Sequence, residues 1–126
     1  FDTPFDSVNG HPRGAGTRGR ILRLVREDNL MPLNLAIAKM TYMPAKFLQD
    51  NGIDQMAKKG RMQVGMDADI TIFDPETVKD NSTPQYGARP TTGIPYVLVN
   101  GTILVKDSKV LKGVYPGQPI RNAVLN

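Results

Sequence analysis

The segment Tyr96-Val97-Leu98-Val99-Asn100-Gly101-Thr102-Ile103-Leu104-Val105 limits the accessible folds more than any other stretch of the chain. Two apolar, largely β-branched runs flank the dipeptide best able to take two positive φ values, which predicts an antiparallel hairpin closed by a type I′ turn. Asp107-Ser108 offers a second turn, and Val110-Leu111 a further strand. Upstream, Ala68 to Asp74 sets Ile70 and Ile72 on one side and Thr71 and Phe73 on the other, so a short strand is expected there, closed by Asp74-Pro75. Between these strands, residues 76–93 are polar, carry Pro84, Gly87, Pro90 and Gly93, and read as a long surface loop.

The first half of the chain has a different period. Ile21, Leu22, Leu24 and Val25 recur at helical spacing with arginines in the gaps, and Thr17 suits an N-cap, so a helix is predicted from Thr17 to near Asn29. Leu33, Ala36, Ile37 and Met40 fall on one face of a second helix, with Pro32 near its first turn, where a missing N–H costs little. Pro44 restarts a third, short helix through Leu48, and Met40, Met43 and Phe47 are expected to pack between helices. Residues 1–15, with Pro4, Gly10, Pro12 and Gly14, read as an irregular loop. The 12 glycines and 10 prolines suit many short elements, and 126 residues suffice for one ordinary domain.

Composition then narrows the chemistry. The chain has no cysteine, hence no disulfide framework, thiolate metal site or cysteine nucleophile, in keeping with a cytoplasmic origin. No apolar run reaches the roughly 18 residues that span a bilayer, and no membrane association is expected. The net charge of +4 comes partly from Arg13, Arg18, Arg20, Arg23 and Arg26. No aromatic residue is interleaved with them for base stacking and Glu27-Asp28 follow at once, so no nucleic-acid partner is expected. His11 is the single histidine, and the acidic residues form no H-E-x-x-H or calcium-loop pattern, so the chain by itself does not supply a zinc hydrolase centre. There is no nucleophile elbow, phosphate-binding loop or dinucleotide fingerprint. One short loop does concentrate reactive groups ahead of a helix: Asp2, Asp6, His11 and Arg13 lie within it, as functional groups often do in a βα-loop.

Three stretches carry a resemblance. Gly60 to Pro75, with Val64-Gly65-Met66-Asp67-Ala68-Asp69-Ile70-Thr71-Ile72-Phe73-Asp74-Pro75, resembles the passage where amidohydrolases leave their catalytic barrel and re-enter a small β-domain. Gly93 to Gly101 is similar to the later strand and hairpin of that domain, and Ala38-Lys39-Met40-Thr41 with Pro44-Ala45 resembles the helix pair closing the barrel. His11-Pro12-Arg13 with Gly16-Thr17 and an arginine-rich helix is similar to the N-acyl-D-amino-acid deacylase branch. The resemblance implies an α+β fragment. Residues 1–59 would hold the last βα unit and helices of a TIM-type barrel, and residues 60–126 would supply strands of a β-sandwich.

It also implies an activity. The parent would be a metal-dependent hydrolase of N-acyl-D-amino acids or related small molecules, using a divalent metal, with zinc the expected ion, held mainly by residues upstream of this chain. Asp2 matches the family's general base at the end of the last barrel strand and is a candidate metal ligand shared with those upstream histidines; Phe1 stands where the family has Ser, and Asp6 is the alternative position. By analogy His11 contacts substrate or orders the loop, and Arg13 binds the substrate carboxylate or forms a structural ion pair. Asp67 and Asp69 are read as a turn and a strand start. The chain alone is expected to be inactive and, with helix faces uncovered, to associate with the missing N-terminal barrel portion, with itself or with a partner chain. The rival reading is a non-catalytic assembly or binding module that keeps only the β-domain.

Overall fold

The computed structural model describes residues 10–121. Its elements, in order, are α1 (Arg13–Glu27), α2 (Leu33–Met40), α3 (Tyr42–Asp50), a 3₁₀ segment (Asp54–Lys58), and strands β1 (Ile70–Ile72), β2 (Tyr96–Val99), β3 (Thr102–Lys106) and β4 (Lys109–Val110). The chain divides into two compact units, each built from separated stretches. The first unit takes the described chain up to Ala36 with Ile72–Pro95, and the second takes Ile37–Thr71 with the chain from Tyr96 onward. No helix among the described residues is long and apolar enough to cross a membrane.

In the first unit α1 begins four residues earlier than its pattern predicts. Pro12 occupies the cap position at φ −52°, a value its ring presets, and its carbonyl accepts the Gly16 N–H at 2.8 Å. Thr17 is therefore inside the helix, where its hydroxyl donates to the Arg13 carbonyl at 2.8 Å instead of capping. The far end follows expectation: Asn29 takes φ 49° and turns the chain off the helix, and the Leu30 N–H reaches back to the Leu24 carbonyl at 3.3 Å. The buried face of α1 consists of Gly16, Gly19 and Leu22. A Cβ at Gly16 would lie 2.9 Å from Ser82 Oγ, and one at Gly19 would lie 2.6 Å from the Thr91 side chain. Two missing side chains thus let the segment after Asp74 lie against the helix. Arg23 Nε donates to Asp80 Oδ1 at 2.7 Å, Arg26 donates to the carbonyls of Pro75 and Val78, and Val78 is 1% exposed. Residues 76–93 are accordingly a strap with its own buried anchor and a Lys79–Thr92 bridge, more ordered than a polar surface loop.

In the second unit the four strands form one sheet in the order β1-β2-β3-β4. β2 and β3 pair antiparallel with a register shift between Val97 and Leu98, and β3 pairs antiparallel with β4. The turn between β2 and β3 has φ 52° at Asn100 and 76° at Gly101, and Asp107-Ser108 repeats the left-handed pair at 51° and 62°. The predicted strand at 68–74 is realised over Ile70–Ile72 alone. α3 runs from Tyr42, two residues before Pro44, whose absent N–H falls in the first turn where no intrahelical acceptor is lost. Only Ala45 of α3 is buried; Met43 is 48% and Phe47 67% exposed, so the expected packing of these two side chains between helices is corrected. Arg61 closes the 3₁₀ segment by donating to the carbonyls of Met56, Ala57 and Lys59 and to Gln49 Oε1, with its guanidinium 5.0 Å from the Tyr42 ring centre.

Candidate active-site loop

Pro12 starts α1 sharply, and that start fixes the preceding residues. The His11 carbonyl accepts the Gly14 N–H at 3.0 Å, and His11 Nδ1 accepts the Arg13 N–H at 3.1 Å. The imidazole therefore satisfies one of the four donors orphaned at a helix start. With Nδ1 accepting, the neutral ring carries its proton on Nε2. The ring is exposed, and so is the Arg13 side chain.

Around this corner lies a cavity of about 460 Å³, bounded on the loop side by Gly10 to Arg13, on the helix by Gly16, Thr17 and Arg20, and on the strap by Asp80, Ser82 and Pro84. Asp80, the only carboxylate of the lining among the described residues, is engaged by Arg23, and the bonds from Asp80 and then Glu27 raise the Arg23 pKa above its ordinary value. Arg13 and Arg20 make no side-chain hydrogen bond or ion pair to any described residue. Two guanidiniums without a side-chain partner among the described residues, beside an exposed imidazole, are chemically able to bind a carboxylate.

His11 and Arg13 thus share one cavity, as expected of neighbours in sequence. Asp2 and the alternative Asp6 lie outside the described residues. No three His, Cys, Asp or Glu side chains converge to hold a metal ion among the described residues, so these residues do not by themselves form a metal centre. Asp67 and Asp69 are structural: Lys59 Nζ lies 2.9 Å from Asp67 and 2.5 Å from Asp69, and Asp69 Oδ1 accepts the Asn100 N–H at 2.8 Å. Arg20 and Asp80 were not singled out as site residues on sequence. The i, i+7 spacing of Arg13 and Arg20 on one helix was a usable signal for the first, whereas Asp80 enters only because the strap folds back.

Comparison with known proteins shows the family. Residues 2–105 match the model of the Amidohydrolase family. The chain belongs to that family. It is 42% identical over 97 residues to an N-acyl-D-glutamate deacylase of Alcaligenes xylosoxydans xylosoxydans, a match covering 76% of this chain and 19% of the relative. A D-aminoacylase of the same organism is 38% identical over 92 residues, covering 72% and 18%. Among solved structures, the N-acyl-D-glutamate deacylase from Bordetella bronchiseptica complexed with zinc and a phosphonate inhibitor superposes with a TM-score of 0.76 at 38% identity, covering 88% of this chain and 22% of that one. A D-aminoacylase crystal structure gives 0.73 at 35% identity, covering 82% and 21%. The chain spans about one fifth of the length of these relatives.

Proposed function

We propose that this chain is part of a metal-dependent hydrolase that cleaves the amide bond of N-acyl-D-amino acids, and that alone it is inactive. The observation carrying this reading is the cavity at the start of α1, where the Arg13 guanidinium, without a side-chain partner among the described residues, stands beside His11. Such a site holds the α-carboxylate that every N-acyl amino acid carries. Arg13 binds that carboxylate as a two-pronged donor, and the His11 Nε2–H contacts the substrate while Nδ1 keeps the loop closed. Asp2 is the general base: it takes a proton from the water that attacks the acyl carbon and passes it to the amine nitrogen as the C–N bond breaks. A divalent metal, zinc in the first instance, would supply Lewis acidity toward the acyl carbonyl and the attacking water. Asp2 is the one residue of this chain assigned to it, shared with histidines contributed by the missing barrel portion.

In the parent we place residues 1–59 in the last βα unit and helices of a TIM-type barrel and residues 60–126 in the small β-sandwich domain. The relatives' names and the antiparallel sheet support this reading. The test is the full-length enzyme assayed on a panel of N-acetyl-D-amino acids, with Asp2→Asn beside the wild type. Loss of turnover by a factor of about 10² to 10⁴ at similar KM is expected. Near wild-type turnover would remove Asp2 from the mechanism. Arg13→Ala should raise KM about tenfold or more, with kcat less affected.

A further inference from the structure

The turn at Thr83–Ala88 meets the candidate loop at one point, and the contact is between backbones. Gly87 is buried, and a Cβ built on it would land on the Gly10 carbonyl oxygen, 2.5 Å from the Gly10 carbonyl carbon and 3.1 Å from that of His11. Gly87 is not among the glycines with positive φ. Its lack of a side chain is therefore demanded by space and not by conformation. The atoms in the way are main chain, so no rotamer change relieves the clash; either the Gly10–His11 segment or the strap must move.

The strap is anchored on several sides. Thr83 and Tyr86 exchange reciprocal N–H to carbonyl bonds at 3.2 and 3.1 Å, and the Arg89 guanidinium stacks 4.1 Å from the Tyr86 ring centre. Ser82 Oγ donates to the Arg89 carbonyl at 3.0 Å, Thr91 Oγ1 donates to the Ala15 carbonyl at 3.2 Å, and Asp80 is held by Arg23. Among the described residues, the bonds of His11 run forward, to Arg13 and Gly14. A segment braced on several sides gives the backbone touching it a fixed surface to rest on.

We propose that Gly87 is a positioning residue for the active-site loop: the 83–88 turn is the seat on which Gly10 and His11 rest, and it sets where the His11 ring and the Arg13 guanidinium stand over the cavity. This rests on the reading of His11 and Arg13 as substrate contacts. The strap joins β1 to β2 in sequence, so an element between two scaffold strands fixes the geometry of a binding loop at the other end of the chain.

The test is Gly87→Ala in the full-length enzyme, assayed on the N-acetyl-D-amino acid it hydrolyses fastest. A rise in KM of about tenfold, with kcat within about twofold, is expected, because the displaced groups bind substrate and transition state alike. Amide hydrogen exchange gives a second readout. The Arg13 and Gly14 amides should exchange about tenfold faster while the Leu22–Arg26 amides of α1 keep their protection. If the methyl prevents folding, Thr83→Val replaces it: this removes the Thr83 Oγ1 acceptor of the Tyr86 N–H without filling the contact, and a smaller shift in the same direction is expected. Unchanged KM and unchanged loop exchange in an active, folded variant would overturn the role of Gly87 alone, as would lowered thermal stability with KM intact. A wild-type enzyme inert toward the whole panel would overturn the reading of the site instead, leaving the exchange data to decide the contact.

Discussion

Individual residues in this chain take roles set by their partners more than by their type. His11 illustrates this: its Nδ1 accepts the Arg13 N–H at a helix start, a use its residue type alone does not announce. Asp69 shows the same principle in a structural place. The Lys59 ammonium, assisted by the Asn100 N–H and opposed by partial burial, holds the Asp69 carboxyl below its ordinary range, and the Asp69 hydrogen bond in turn raises Lys59. For a depressed carboxylate the stabilisation is present above the unfolded-state pKa and lost as pH falls through the folded value; for a raised lysine it is present below the unfolded value and lost as pH rises past the folded one. The latch should therefore contribute evenly between about pH 4 and pH 10 and fade outside that window. Its side chains are 22–32% exposed, so Asp69→Asn should cost about 1 kcal/mol at neutral pH, read from urea denaturation midpoints. That cost should shrink when the wild type and variant are compared at pH 3. Sequence suggested a turn and strand start for Asp69, but the bond to Asn100 crosses 31 positions and no local pattern carries it.

At the scale of elements, turn chemistry was the most legible signal and helix starts the least. The Asn100-Gly101 turn follows from the need for two successive positive φ values, a purely local requirement. The start of α1 was misplaced because Thr17 looks like a cap, whereas Pro12 at the first turn is the stronger stop on the preceding chain. Two glycines separate conformational from steric cost. Gly101 has φ 76° and its added Cβ would meet nothing closer than 4.0 Å, so Gly101→Ala should cost only the left-handed penalty of about 1–2 kcal/mol. Gly60 has φ 68°, and its Cβ would lie 2.6 Å from the Thr41 carbonyl oxygen, so Gly60→Ala should cost distinctly more. Thermal or urea denaturation of the two variants side by side measures the difference; equal losses would mean that the Thr41 contact relaxes freely.

At the scale of the whole molecule, the distribution of apolar surface is the governing fact. Leu22, Ala36, Ala45 and Val78 are the buried hydrophobic residues among those described, while Phe47, Met62 and Tyr115 are 67, 83 and 88% exposed. Covering each large side chain would contribute about 1.5–3 kcal/mol, so the 126-residue chain by itself should self-associate. Sedimentation velocity should show a weight-average coefficient that rises with concentration, and Phe47→Lys with Met62→Lys should return it toward the monomer; a monomer at every concentration would count against this. The sequence by itself determined the hairpin, the three helices and the family, because each is written in neighbouring residues through φ preference, periodicity or a contiguous motif. It could not determine that α1 buries a stripe of glycine, that Asp80 is engaged by Arg23, or that Gly87 packs against the Gly10 backbone. Those facts depend on distances between segments dozens of positions apart, which only the folded chain fixes.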